Sequence, residues 1–270
     1  MKKRLLTGAI VWAAFAAPAL ADETTFCNVF ITSVPTTINA QGHYCFNRNL
    51  STAITSGAAI TINSDFVVLD LNNFKLGGGG AGLATDAFAI YANDRRNLTI
   101  RNGNIRGFAV GIMIEGTTGA SAQNILVENN VLDGNTKVGV NVYGAAVTIR
   151  NNTVSNTGGS TSPNLFCDGQ GMGITNMQIG CMTGFSDGPI EAVNNTVINT
   201  SVAASGSDQR AWGIRLRPGF KAIAYLNRVM LVTGGTAQFG VDAYVCRDNT
   251  VTDAASGYSC NAMVGTNSLN

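Results

Sequence analysis

Two closely spaced arginines and a set of polar and aromatic residues have the chemistry that binding of an acidic sugar chain requires. Arg215 and Arg217 stand on either side of a leucine in the segment GIRLRPG. The candidate substrate-binding residues that accompany them are Asn141, Tyr143, Asp242, Tyr244 and Glu115. Arginine pairs bidentately with carboxylates, and tyrosine offers a flat apolar face together with a hydroxyl group. These residue types predict recognition of an acidic polysaccharide such as a polyuronide, if the fold brings them together.

Strands are the elements that would position these residues, because two short patterns alternate along the chain. One pattern is a Gly or Ala followed by an apolar-x-apolar run, as at Gly139 and Gly213. The other is an apolar alternation that ends at an Asn or Asp and is followed by a second apolar run, as in VTIRNNTVSNT from Val147. Its turn positions are Leu71, Asn102, Asn129, Asn151, Asn194, Asn227 and Asp248. Short strands of period 2 in a long repeat are typical of a parallel β-helix.

The repeats predict an all-β fold, a parallel β-helix (solenoid) of about seven coils with N- and C-terminal caps. Each strand would pair with the equivalent strand of the next coil, about 4.8 Å away. Asparagine suits the bends because it tolerates the left-handed backbone region and can hydrogen-bond the same amide in neighbouring coils. An antiparallel sandwich would need hairpin turn signals between consecutive strands. The predicted segments are a signal peptide at 1–21, an N-terminal cap at 22–56, the β-helix at 57–253 and a C-terminal cap or tail at 254–270.

Strand side chains point alternately to opposite faces, which predicts three outward columns. The first column consists of Thr61, Tyr91, Met113, Asn141, Thr175, Arg215 and Asp242, and the second of Asn63, Asn93, Glu115, Tyr143, Met177, Arg217 and Tyr244. These two columns would form the binding face. The alternative is that they are ordinary solvated residues, with Arg215 and Asp242 paired on adjacent coils. The third column consists of Asp70, Arg101, Glu128, Arg150, Val193, Leu226 and Arg247. Its alternating charges predict stabilising ion pairs.

The first 21 residues have the form of a signal peptide. Lys2, Lys3 and Arg4 precede an apolar run, and the segment Ala19-Leu20-Ala21 has the small-x-small pattern of a cleavage site. Loss of these three residues from 17 basic ones leaves 14 against 16 acidic residues, and no basic surface for nucleic acid. The apolar run is too short to span a bilayer. We expect a protein exported to the periplasm or the extracellular space, with no transmembrane anchor after cleavage and no nucleic-acid partner.

The cysteines fit an oxidising compartment. They are Cys27, Cys45, Cys167, Cys181, Cys246 and Cys260. Each has one close neighbour along the chain, which favours disulfides between neighbours, although six cysteines allow about 15 connectivities. No C-x-x-C pair occurs, and the single histidine, His43, is expected to be structural or exposed. The sequence therefore predicts neither a metal site nor a cofactor.

Together with ITINSDFVVLDLNNFKLGG from Ile60, the repeats resemble the right-handed parallel β-helix repeat proteins of the pectin-lyase-like superfamily. The resemblance covers residues 57–253, and it implies a right-handed coil. It implies no single activity, because the superfamily includes polysaccharide lyases, hydrolases, epimerases, phage tailspikes and surface adhesins.

The resemblance to uronate lyases of this fold, which use an arginine as base, is loose. It would give Arg215 the role of abstracting the proton alpha to a carboxylate, and Arg217 that of neutralising that carboxylate. Those enzymes commonly hold calcium with clustered acids, whereas the nearby acids here are limited to Asp242 and either Glu115 or Asp208. The Gly-His-Gly of galacturonan hydrolases is absent. An enzyme of this sequence would thus be a calcium-independent, lyase-like one, and its arginine would need unusual surroundings to lose a proton.

Two functions from different classes remain open at this point. The first is an exported β-helix that binds, and could process, an extended acidic polysaccharide on the strand face of its later coils. The second is a non-catalytic structural or adhesin-like surface protein that presents loops to a partner. A trimeric tailspike is a distant third, and the oligomeric state stays open.

Overall fold

The computed structural model describes residues 27–118, 121–164, 169–177, 188–204, 206–207, 209–216 and 221–270. These residues form β-strands, one short 3₁₀ helix at Gly79–Ala81 and no α-helix. Every strand pairing among them is parallel, and the strands follow three lines that run along the molecule. In the described residues no helix has the length and apolar character needed to cross a membrane.

The first strand line carries the Gly-rich pattern. It consists of β2 (Thr36–Ile38), β5 (Ala58–Ile62), β8 (Phe88–Asn93), β11 (Val110–Glu115), β14 (Val138–Val142), β17 (Gly171–Thr175), β20 (Arg210–Arg215) and the first parts of β23 (Ala237–Arg247) and β25 (Ser256–Val264). Each strand pairs in parallel with the next one in this order.

The second strand line carries the apolar alternation before the Asn turn. It consists of β1 (Val29–Ile31), β3 (Gly42–Phe46), β6 (Val67–Asp70), β9 (Arg96–Arg101), β12 (Gln123–Glu128), β15 (Ala145–Arg150), β18 (Ile190–Val193), β21 (Ala222–Tyr225) and the second parts of β23 and β25. Because β23 and β25 belong to both lines, the first and second lines form one 17-stranded sheet.

The third strand line follows the Asn turn and forms a separate 9-stranded sheet. It consists of β4 (Leu50–Ser51), β7 (Lys75–Gly77), β10 (Asn104–Arg106), β13 (Val131–Asp133), β16 (Thr153–Thr157), β19 (Thr196–Ser201), β22 (Arg228–Thr233), β24 (Thr250–Thr252) and β26 (Ser268–Leu269). One strand from each line makes a coil, so the all-β, parallel solenoid predicted from the repeats is confirmed. The stacking continues on both sides of the predicted 57–253 range, through β1 to β4 before it and through β25 and β26 after it.

The core is a set of apolar stacks in which equivalent residues of successive coils touch. In the first line the stack is Ile60, Ile90, Ile112, Val140, Ile174, Ile214 and Val241, and all of these side chains are fully buried. Burial of one such side chain stabilises the fold by about 2 kcal/mol. The stacks therefore fix the register, because a slip by one residue would turn every apolar side chain outward.

The asparagine turn uses two adjacent residues with different tasks. The first adopts a left-handed backbone, with φ of 56° at Asn151 and 50° at Asn194, and Leu226 takes this position in a later coil with φ of 56°. The second is buried at Asn130, Asn152, Asn195, Asn227 and Asn249, and these side chains form a hydrogen-bonded stack that ends at the half-buried Asn267. The prediction that Asn227 continues the column of Asn194 was wrong by one residue, because Leu226 takes the turn position and Asn227 takes the buried position after it.

The charged column before the Asn turn has the predicted ion pairs. Arg101 Nε lies 2.8 Å from Asp70 Oδ2, and Arg150 Nη2 lies 2.7 Å from Glu128 Oε2. In the later coils Val193 pairs with Tyr225, which in turn pairs with Arg247. Tyr225 therefore replaces Leu226 in this column, because Leu226 already belongs to the turn.

Within the described residues two disulfides join cysteines that are neighbours in the chain, as their spacing predicts. Cys27 is bonded to Cys45, and Cys246 is bonded to Cys260. Disulfides of this kind indicate an oxidising environment. The other two cysteines, Cys167 and Cys181, and the predicted signal peptide lie outside the described residues.

Candidate functional site

The first outward column has the predicted register. Asn141 pairs with Thr175, Thr175 with Arg215, and Arg215 with Asp242. The column extends one strand further than expected, because Asp242 pairs with Ser259 of β25. The structure thus brings Arg215 and Asp242 onto adjacent strands. Arg217 and Asp208 lie outside the described residues.

The middle of this column is covered by chain rather than open to solvent. Asn141 is fully buried, and its amide donates to the Met177 carbonyl at 2.8 Å and accepts from the Met177 N–H at 2.9 Å. Tyr143 on the neighbouring column is 4% exposed. An apolar cluster covers the outer face beside them and consists of Ala109, Val110, Met113, Val138, Met172, Met177 and Trp212. The central coils therefore offer no open groove at Asn141 or Tyr143.

Arg215 is held in surroundings that stabilise its protonated form. Its Nε lies 3.9 Å from Asp242 Oδ2, and its guanidinium carbon lies 4.3 Å from the centre of the Trp212 ring. Its Nη1 donates to Gln170 Oε1. A carboxylate, an aromatic face and an amide oxygen all favour the cation. These contacts are the opposite of what an arginine base would need.

The accessible part of the face is a shallow cleft of about 350 Å³ at the last two strands of the first line. It is lined by Leu216, Asp242, Ala243, Tyr244, Ser259, Cys260 and Asn261. Two of these residues, Asp242 and Tyr244, are predicted site residues. Ser259 and Asn261 are not among the predicted site residues, because they lie beyond the 57–253 range predicted for the β-helix. The alternation in GYSCNAMV, with Gly257 in the glycine position of the pattern, is the signal that could have found them.

Glu115 lies in an earlier coil, where its side chain forms a hydrogen bond with a tyrosine. The Tyr91 hydroxyl donates to Glu115 Oε2 at 2.9 Å. Burial raises the pKa of Glu115, and burial together with the Glu115 carboxylate raises the pKa of Tyr91 to about 12. Four strand pairings separate β11 from β23, so Glu115 is roughly 19 Å along the molecule from Asp242. Glu115 and the cleft therefore belong to different parts of the surface.

Sequence reasoning also missed a polar cluster, in which Asp86 connects the segment before β8 to the segment around Ser162 and to Lys137. Lys137 and Asp86 form an ion pair, and Asp86 accepts hydrogen bonds of 2.7 Å from both Ser162 and Asn164. Burial opposes ionisation of Asp86, but the hydrogen bonds from Asn164, Lys137 and Ser162 outweigh it and lower its pKa. No motif marks this cluster, because its members are far apart in the chain. Since all its donors are engaged within the protein, we assign it to stability.

In the part of the chain that the structure describes, no three His, Cys, Asp or Glu side chains lie together as a metal site would need. The chain matches no protein-family model, no curated protein and no solved structure.

Proposed function

We propose that this chain is an exported, right-handed parallel β-helix of the pectin-lyase-like superfamily that binds an extended acidic polysaccharide across its last coils. Parallel strands joined through crossovers are right-handed in about 98% of cases, which supports the hand. The disulfides support export, because such bonds persist in oxidising compartments. We further propose about seven coils between the two caps, with the outermost strands belonging to those caps.

The observation that carries the proposed binding is the chemistry of the cleft. Tyr244 is half-buried in its wall, and Asn261 is exposed. A tyrosine ring can pack against a sugar ring, while amide, carboxylate and hydroxyl groups match the hydroxyls of a saccharide. The strands β23 and β25 that carry these side chains run side by side over seven paired positions. The cleft is lined by residues of both strands, which suits a ligand that extends across the two.

The acidic character of the proposed ligand depends on the arginines. Arg215 is largely neutralised by Asp242, because the two charges face each other and both are buried. We therefore assign recognition of a uronate carboxylate to Arg217, the second arginine of the segment GIRLRPG. Arginine suits this role because its planar guanidinium can bind both carboxylate oxygens.

We propose binding without bond cleavage. A lyase mechanism would need Arg215 to accept a proton, and its contacts with Asp242, Trp212 and Gln170 favour the protonated form instead. In this proposal Arg215 stabilises the strand face through these contacts and does not act as a base.

The experiment is a binding panel of neutral and acidic polysaccharides, measured by calorimetry on the disulfide-bonded protein. Alongside the unaltered protein we would measure Arg217→Ala and Lys221→Ala, which remove the same charge at different places. Selective binding of a polyuronide that is lost only in Arg217→Ala supports the proposal. Failure of every polysaccharide to bind would overturn it and leave the adhesin-like function, in which the rod presents its loops to a partner.

A further inference from the structure

A second and larger cleft lies at the other end of the rod, on the 9-stranded sheet. Its volume is about 610 Å³. It is lined by Ser51, Thr52, Ala53, Lys75, Gly77, Gly79, Gly80 and Arg106. We call it the Lys75–Arg106 notch. Six strand pairings separate β5, in the coil of Lys75, from β23, so the notch is roughly 29 Å along the molecule from the Tyr244 cleft.

The strand register explains how the notch forms. Ser51 pairs with Gly77, and Gly77 pairs with Arg106, so these residues form one column across three coils. Gly77 contributes no side chain, which leaves a gap in the column. A Cβ atom at Gly77 would lie 3.6 Å from both the Lys75 Cε and the Ser51 Cβ. The end of the lysine chain and the serine therefore border the gap, and Arg106 closes its other side.

The notch has a positive charge that the surrounding residues compensate only in part. None of its lining residues is acidic. Within the described residues, no carboxylate forms an ion pair with the Lys75 ammonium, and Arg106 Nη2 lies 3.5 Å from Asp133 Oδ2. Asp133 also accepts hydrogen bonds from Ser155 at 3.0 Å and from Asn156 at 2.7 Å. The Arg106 side chain is 57% exposed, so most of its five N–H donors face solvent.

We propose that the Lys75–Arg106 notch binds an oxyanion, either as a free phosphate or sulfate ion or as such a group carried by a saccharide. The arginine fork can contact two oxygens of one group, and the lysine supplies a point charge from the opposite side. The hydroxyls of Ser51 and Thr52 are further donors at the same edge. This site is independent of the polysaccharide function proposed for the last coils, because it shares no residue with the Tyr244 cleft.

The sequence offers a matched control for the charges of the notch. Arg228 occupies the same strand position as Lys75, five pairings further along the third line. It is exposed but lines no part of the notch. The variant Lys75→Gln with Arg106→Gln can therefore be compared with Arg228→Gln with Lys221→Gln, which has the same net charge.

The test is a calorimetric titration with inorganic phosphate, inorganic sulfate and a sulfated oligosaccharide. We expect Lys75→Gln with Arg106→Gln to weaken binding by at least roughly tenfold, and the control pair to weaken it less than about twofold. Gly77→Val, which fills the gap and keeps both charges, should also weaken binding. Binding of the inorganic ions identifies a free-ion site, whereas binding of the oligosaccharide alone identifies a glycan-borne group.

Two results would overturn the proposal. One is that none of the three probes binds the unaltered protein. The other is that the two double variants lose binding equally, since net charge alone would then explain the effect. A thermal unfolding midpoint close to that of the unaltered protein shows that each variant is folded. Tyr244→Ala should leave the phosphate and sulfate titrations unchanged, which keeps this test separate from that of the polysaccharide cleft.

Discussion

Arg215 and Asp242 face each other on adjacent strands, with the arginine Nε 3.9 Å from Asp242 Oδ2 and both side chains less than a tenth exposed. The pair lies under the cleft and connects β20 to β23. A buried charge without its partner is costly, so Arg215→Met or Asp242→Leu alone should lower the free energy of unfolding by about 3 kcal/mol. The double variant should lose less than the sum of the two. Urea unfolding of all four proteins measures this coupling, and additive losses would show that the pair does not interact.

At the left-handed turn of Leu226, a substitution should raise the stability of the fold. Its side chain is 53% exposed and its φ is 56°, a conformation that costs a branched residue more than it costs asparagine. Leu226→Asn should therefore raise the free energy of unfolding by about 1 kcal/mol. The reverse change at the equivalent turn, Asn194→Leu, should lower it by a similar amount. Thermal and urea unfolding measure both, and a loss of stability in Leu226→Asn would contradict the assigned turn position.

The buried asparagine stack, which lies between the second and third strand lines, should be highly sensitive to substitution. Asn195 Oδ1 accepts from the Asn152 side chain at 3.1 Å, and Asn195 Nδ2 donates to Asn227 Oδ1 at 3.0 Å and to the Ile149 carbonyl at 2.9 Å. Asn195→Ala leaves several buried groups unsatisfied and should cost about 3 kcal/mol. Asn199→Ala, an exposed asparagine in the same coil, should cost about 1 kcal/mol. Equal losses in urea unfolding would mean that the stack has no special role.

The polar cluster at Asp86 predicts an acid-dependent loss of stability. The pKa of Asp86 is lowered from 3.8 in the folded state, so folding favours the ionised carboxylate. The stabilisation is complete above 3.8 and is lost as the pH falls through the lower folded value. Asp86→Asn should remove this part of the pH dependence when unfolding free energies at neutral and strongly acidic pH are compared. Asp253→Asn, an exposed acid outside the cluster, should retain it, and an unchanged profile in Asp86→Asn would refute the assignment.

The strand register could be predicted from the sequence, because the glycine pattern and the period of two fix which side chains share a column. Asn141, Thr175, Arg215 and Asp242 are paired as that pattern predicts. Their burial could not be predicted in the same way. Met177 follows Thr175 by two residues within the same repeat, and its backbone groups bond with the Asn141 side chain and cover it. Alternation along a strand does not predict this contact.

The asparagine turn and the last strand show two other limits of the sequence. Leu226 has the left-handed backbone of the turn and Asn227 is the buried residue after it, so a search for asparagine alone selects the wrong member of the pair. In β25 Ser259 and Asn261 alternate with apolar residues as in the earlier repeats, but the strand lies beyond the predicted 57–253 range although it pairs with β23 over its length. The error at β25 affected the site, because this strand supplies three of the seven residues that line the cleft.

The central claim is that the Tyr244 cleft binds an extended acidic polysaccharide, and the affinity of Tyr244→Ala for a polyuronide tests it most directly. Tyr225→Ala is the matched control, since Tyr225 is a half-buried tyrosine of β21 that lies outside the cleft. We predict that Tyr244→Ala weakens binding by at least roughly tenfold while Tyr225→Ala changes it less than about twofold. Equal affinities of the two variants, or no binding by the unaltered protein, would contradict the claim.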